Sequence, residues 1–186
     1  LCYILSLPTG HPTREIEMRY FHKLLNKALE IAPGHRDMIK PDFTGFHHGG
    51  IYANAYAVYG FHTAAIFAHL LDRTSFRLDQ KSISNLSNAL LANRIYANKF
   101  DIPRGISGRF PYTLGTLLEN MPGFVYLAEV ENNPLAPELK AAFMRLWSPG
   151  DPVFNVWLRD AGCKLGYFGS LGALDTTMKL AARGIP

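Results

Sequence analysis

The chain has 186 residues, 48% of them hydrophobic and 18% charged, a balance that fits a folded domain with its own core and excludes a disordered segment. Its formal charge of +4, with seven histidines besides, suits an acidic ligand, and on charge alone nucleic acid, sulfated or uronate polysaccharide and anionic lipid all stay open. The basic residues form no dense run and no nucleic-acid-binding signature is present, which argues against nucleic acid, and every apolar run falls short of the roughly eighteen residues that span a bilayer.

Residues 1–8 read as the end of an apolar helix, and the chain as a fragment of a longer protein. Thr13 is expected to cap a helix through Ile31, with Ile16, Tyr20, Leu24, Ala28 and Ile31 recurring on one face. Pro33-Gly34 ends it. Residues 34–51 then form a loop with little regular structure, long enough to carry function. The run AYAVYGFHTAAIFAHLL, from about Ala53 to Leu71, is apolar on nearly all sides and predicts a helix deep in the protein.

Ser82 is the expected cap of a helix to about Asn98 that buries Ile83, Leu86, Leu90 and Ile95. After a loop at 99–112, Thr113 to Val130 predicts a helix bent or broken near Pro122-Gly123. Pro137 opens another that runs from Glu138 to Trp147. A short helix at 153–160 and a last one from about Gly172 to Arg183 complete the chain. Cys2 and Cys163 make neither a zinc cluster nor a disulfide framework and read as free buried thiols, with a single bridge between them as the alternative. The fold class is all-α: α/α hairpins that pack as a solenoid or toroid, with the loops at 34–51 and 99–112 meeting at one end.

Chemistry-bearing residues concentrate in those two loops. His47 and His48 are adjacent, so in regular structure their rings would point apart, one acting in proton transfer and the other as its neighbour. Tyr52, Tyr56 and Tyr59 have the spacing of one helix face, which an aromatic core stripe would share. Tyr52 and Tyr56 nevertheless fall at the helix start beside the loop, where side chains meet solvent. Forming a phenolate there needs a cation, and Arg109 is the candidate. Arg104 and Arg109 bracket Gly105 and Gly108 as an anion clamp would, although a solvated basic loop would look the same. His62 and His69 read as satisfied core histidines rather than metal ligands. The glycines at 166–172 lack the spacing of a phosphate loop.

In order, the segments PDFTGFHHGG, Tyr56, HLLDRTSF and SGRFPY resemble the polysaccharide lyases of the chondroitin AC/ABC lyase and hyaluronate lyase superfamily, most nearly the chondroitin ABC branch. That family carries Pro-Asp-Gly-Thr/Ser, then a His, a Tyr one to two helical turns later, and Gly-Arg-x-Pro. Here Phe43 stands where glycine is usual, and one extra residue separates His48 from Tyr56. The similarity fades after about residue 115.

The resemblance implies residues 1–186 as the C-terminal part of a catalytic (α/α) toroid, followed in the longer enzyme by a β-sandwich domain that supplies a catalytic Glu. It implies β-elimination of uronic-acid-containing glycosaminoglycan (chondroitin or dermatan sulfate, with hyaluronan a further substrate) to 4,5-unsaturated products. Tyr56 would be general base and acid, His48 its partner, and Arg109 the cation. His47, Tyr52, Asn54 and Arg104 would contact substrate. No metal ligands are assigned within the chain, though a divalent cation, Ca or Mg, could serve the full-length enzyme. The expected location is secreted or periplasmic in a bacterium. Alginate or heparan cleavage, a non-catalytic helical module binding anionic polysaccharide, and a helical-repeat scaffold for protein partners remain alternatives.

Overall fold

The apolar helix that begins at Tyr56 packs against most of the other helices of the core. The computed structural model describes residues 2–36 and 38–159. Its helices are α1 (Cys2–Ser6), α2 (Pro12–Ala28), α3 (Tyr56–Leu71), α4 (Gln80–Tyr96), α5 (Met121–Ala128) and α6 (Ala136–Leu146), with short 3-10 turns at Arg104–Ile106 and Thr116–Asn120. Residues 152–159 are helical as well. A two-stranded ribbon, β1 (Phe46–His47) and β2 (Gly50–Ile51), is the one sheet among the described residues. The fold is all-α. No helix of the described residues is long and apolar enough to cross a membrane. The expectations for Cys163, the 166–172 glycines and a helix at 172–183 fall outside the described residues.

α3 and α4 pack as a hairpin and α5 lies across both, with α6 against α4 and α5. Every residue of α5 is buried, and the core between these helices is filled by Phe61, Leu86, Leu90, Phe124 and Phe143. The turn after α3 is held by Asp72, whose carboxylate accepts from Arg77 Nε and from the Glu131 amide, both at 2.9 Å.

Several sequence expectations change. His11, not Thr13, caps α2, because Pro12 takes the first helical position and the His11 ring accepts from the Thr13 amide. The helix ends at Ala28. Its apolar face of Ile16, Tyr20 and Leu24 points away from the core, each side chain at least 48% exposed. α2 docks instead through Phe21, edge-on to Phe67, and through His22 and Asn26, which bond the Arg77 carbonyl and the Asp79 amide.

α4 starts at Gln80, with Asp79 in the N-cap position rather than Ser82, which is buried within the helix, and Ile95 is exposed. The stretch from Thr113 is two pieces: a 3-10 turn, then α5 starting at Met121. Pro122 therefore opens a helix rather than bending one.

Candidate active site

The segment ahead of α3 is folded by its own turn chemistry. Phe43 N donates to the Lys40 carbonyl at 2.8 Å, and Asp42 Oδ1 accepts from the Thr44 amide (3.1 Å) and hydroxyl (2.6 Å). The hydroxyl bond holds the Asp42 carboxyl below its ordinary range. Phe43, in the position expected to be glycine, takes left-handed backbone at φ 62°, a conformation that costs a side-chain-bearing residue about 1–2 kcal/mol.

Residues 46–51, expected to be irregular, form the β1–β2 hairpin, with Phe46 opposite Ile51 and His47 opposite Gly50. His48 and Gly49 make its two-residue turn at φ 52° and 76°, the left-handed pair that suits the twist of a tight hairpin. Gly45 brings the ribbon hard against α3, since a Cβ there would lie 2.1 Å from the Ala57 Cβ.

This hairpin lays both histidines on the first turn of α3. The His47 and His48 rings meet edge-to-face at 4.1 Å instead of pointing apart, because the left-handed turn at His48 swings its side chain back. His47 stacks on Tyr56 at 4.5 Å, and His48 meets Tyr56 at 5.5 Å. Tyr52 is not on the helix. It lies before α3, buried, with its ring 5.2 Å from that of Tyr56. The expected three-tyrosine helical face thus reduces to Tyr56 and Tyr59, both exposed. His35, His47, His48 and Tyr56 open into a cleft of about 490 Å³.

The second loop docks on the same place. Ala53 N donates to the Ile106 carbonyl at 3.0 Å, and Asn54 Nδ2 donates to the Phe110 carbonyl at 2.7 Å. Gly108 sits on the face of Tyr52, where a Cβ would come within 2.7 Å of the ring. Arg109, between those last two anchors, is exposed and makes no hydrogen bond or ion pair among the described residues. Arg104 is also exposed, with its guanidinium 5.0 Å over the Tyr112 ring.

The expected substrate contacts differ in accessibility. His47 and Arg104 are open to solvent, whereas Tyr52 and Asn54 are buried and shape the site from beneath. Among the described residues Asn54 Oδ1 has no hydrogen-bond partner.

His62 is buried, as expected of a core histidine, and among the described residues neither ring nitrogen has a partner in full hydrogen-bond geometry. Burial lowers its pKa from 6.5 to about 4, the nearby Glu119 backbone carbonyl opposing this in part. Among the described residues no three of His, Cys, Asp or Glu converge as cation ligands.

Sequence reasoning missed His35, which lines the cleft with His47, His48 and Tyr56. Its only signal was its position after the Pro33-Gly34 turn.

The arrangement offers exposed phenol and imidazole groups in contact, with an exposed guanidinium on the adjoining loop, a set able to move a proton beside an anion. Comparison with known proteins points the same way. A chondroitin sulfate ABC exolyase of Bacteroides thetaiotaomicron is 30% identical over 133 residues, which is 70% of this chain and 13% of that protein. A chondroitin sulfate ABC endolyase of Proteus vulgaris is 26% identical over 128 residues, 69% of this chain and 12% of its own length. The chain therefore spans a small part of the curated relatives that it matches. The model of the family described as "Lyase, catalytic" matches residues 3–151, and the chain belongs to that family.

Proposed function

We propose that residues 1–186 are part of the catalytic α/α toroid of a polysaccharide lyase acting on uronic-acid-containing glycosaminoglycan, chondroitin or dermatan sulfate first and hyaluronan next. The observation that carries this reading is the contact of His47 and His48 with exposed Tyr56, beside the docked Arg109 loop. The names of the two relatives supply the substrate class. The outward apolar stripe of α2 fits a toroid, in which a further helix would cover it.

In the proposed reaction Tyr56, as phenolate, takes the C5 proton of the uronate. The electron pair forms the C4=C5 double bond and the C4–O4 bond breaks. The proton now on Tyr56 passes to O4 of the leaving sugar, so no water is consumed. Charge builds on the uronate carboxylate as C5 is deprotonated, and stabilising it is the largest demand on the site. His48 contacts that carboxylate or serves as base for the epimeric uronate, and Arg109 holds O4 of the leaving sugar. A Glu from a β-sandwich domain of the longer polypeptide would complete the set, so this segment alone would turn over slowly or not at all. The same reading implies a secreted or periplasmic bacterial enzyme, with Ca or Mg as a possible aid in its full-length form.

The test is ultraviolet absorbance of the unsaturated product in the full-length polypeptide. Tyr56→Phe is expected to lower kcat by about 10²–10⁴-fold, the usual contribution of one acid/base group. Wild-type turnover in that variant overturns the assignment of Tyr56. Salt-sensitive binding with no unsaturated product from any uronide would favour the non-catalytic module instead.

A further inference from the structure

Lys40, just ahead of the turn at Asp42, is buried at 7% exposure and forms no ion pair among the described residues. Burying an ammonium is costly unless other acceptors hold it. Here they come from two separate pieces of chain. The ammonium donates to the Ala32 carbonyl at 3.0 Å and to the Arg36 carbonyl, and it lies 4.5 Å over the Phe46 ring.

Both pieces build the wall of the histidine cleft. Ala32 and Arg36 flank the Pro33-Gly34-His35 turn, and a bond from the Ala32 amide to the Ile39 carbonyl, at 3.0 Å, closes that segment into a loop. Phe46 belongs to β1, opposite Ile51 and next to His47. The His35 ring lies 6.2 Å from the Phe46 ring, and both line the cleft with His47, His48 and Tyr56. The His35 side chain is exposed and makes no hydrogen bond among the described residues, so the backbone of its loop sets where the imidazole stands. The hairpin has anchors of its own: the Tyr52 amide donates to the Gly45 carbonyl at 2.8 Å, and Gly45 lies hard against Ala57.

We propose that Lys40 is a positioning residue for substrate binding. Its ammonium ties the His35 loop to the β1–β2 hairpin, and so holds the His35 imidazole in one cleft with His47 and His48, where it contacts an anionic group of the substrate. This role rests on the lyase reading above and adds to it a residue that touches neither the substrate nor Tyr56.

The experiment measures kcat and KM of the full-length polypeptide for wild type, Lys40→Met, His35→Ala and the double variant, on unsulfated chondroitin and on chondroitin sulfate. Lys40→Met fills the space and removes the charge and the donors. Its KM is expected to rise about tenfold, the worth of one hydrogen bond to a charged group, with kcat within about threefold because the hairpin keeps its own anchors. A rise on both polymers identifies a carboxylate as the group held, and a rise on the sulfated one alone identifies sulfate. The double variant is expected to bind no worse than His35→Ala, since residues acting through one contact are not additive. A general loosening would lower kcat as well and multiply with His35→Ala, and that result overturns the role. So does an unchanged KM in Lys40→Met, or in Lys40→Gln should Lys40→Met fail to fold.

Tryptic cleavage of the native polypeptide after exposed Arg36 reads the tie without substrate, and Lys40→Met should speed it about tenfold. A wild-type cleavage rate overturns the tie while the lyase reading stands. If the wild type cleaves no uronide, the lyase reading and the binding role fail together, and the tryptic rate still decides the tie.

Discussion

Gly108→Ala tests whether the Arg109 loop is held in place by the face of Tyr52. Two costs follow from the geometry. Gly108 has φ 63°, and a side chain in left-handed backbone costs about 1–2 kcal/mol. The new methyl carbon would also lie 2.7–2.8 Å from three carbons of the Tyr52 ring, which is buried and cannot simply swing into solvent. Overpacking of this kind costs about 1–3 kcal/mol. Together they reach roughly 2–5 kcal/mol, which lowers a urea midpoint by about 1–2 M for a domain of ordinary m-value.

Relief must come from lifting the loop, with Arg109, or from tilting Tyr52, which contacts Tyr56, His47 and His48. Either displaces the proposed catalytic groups, and a misplacement near 1 Å can lower turnover about 10²-fold. The assay pairs urea unfolding with product absorbance in the full-length polypeptide. Gly105→Ala is the control: a Cβ there meets nothing within 4 Å and its φ is not positive, so a change within about 0.5 kcal/mol is expected. If Gly108→Ala matches that control in both midpoint and rate, the docking of this loop on Tyr52 is wrong.

Two stability predictions accompany these tests of the site. Burial depresses the His62 pKa from 6.5 to about 4, so between those values the unfolded chain binds more protons than the folded one. The associated stability is complete above about pH 6.5 and is lost as pH falls to about 4, in total about 3 kcal/mol. His62→Leu should flatten that part of the stability curve in denaturant titrations run across it, and an unchanged slope would count against a buried neutral His62. Asp72→Ala removes the partner of Arg77 and of the Glu131 amide, and should cost about 2–4 kcal/mol by thermal or urea unfolding. Its kcat at temperatures where it stays folded should match wild type.

Much of the helical layout was legible because α3 and α6 advertise themselves locally. The run after Tyr56 is apolar on nearly every side, and Pro137 sits where a helix can begin. The α2 stripe of Ile16, Tyr20 and Leu24 was legible as a periodicity yet gave no direction. Periodicity marks an apolar face, but what covers that face depends on elements distant in sequence, and here α2 docks through Phe21, His22 and Asn26. The His48-Gly49 turn was missed although its signal was present: a two-residue step ending in glycine, flanked by the pairable Phe46 and Ile51. Reading 34–51 as irregular lost the reason that both histidine rings reach Tyr56.

The sequence by itself determined the chemistry on offer, since side-chain identity alone makes Tyr56 a phenol, His47 and His48 imidazoles and Arg109 a permanent cation. Only the tertiary structure decided which of these meet. Asn54 and Phe110 bond across 56 residues, and Gly108 rests on Tyr52 across the same span. Contacts of that range come from the packing of α3 against its neighbours, which no local spacing encodes.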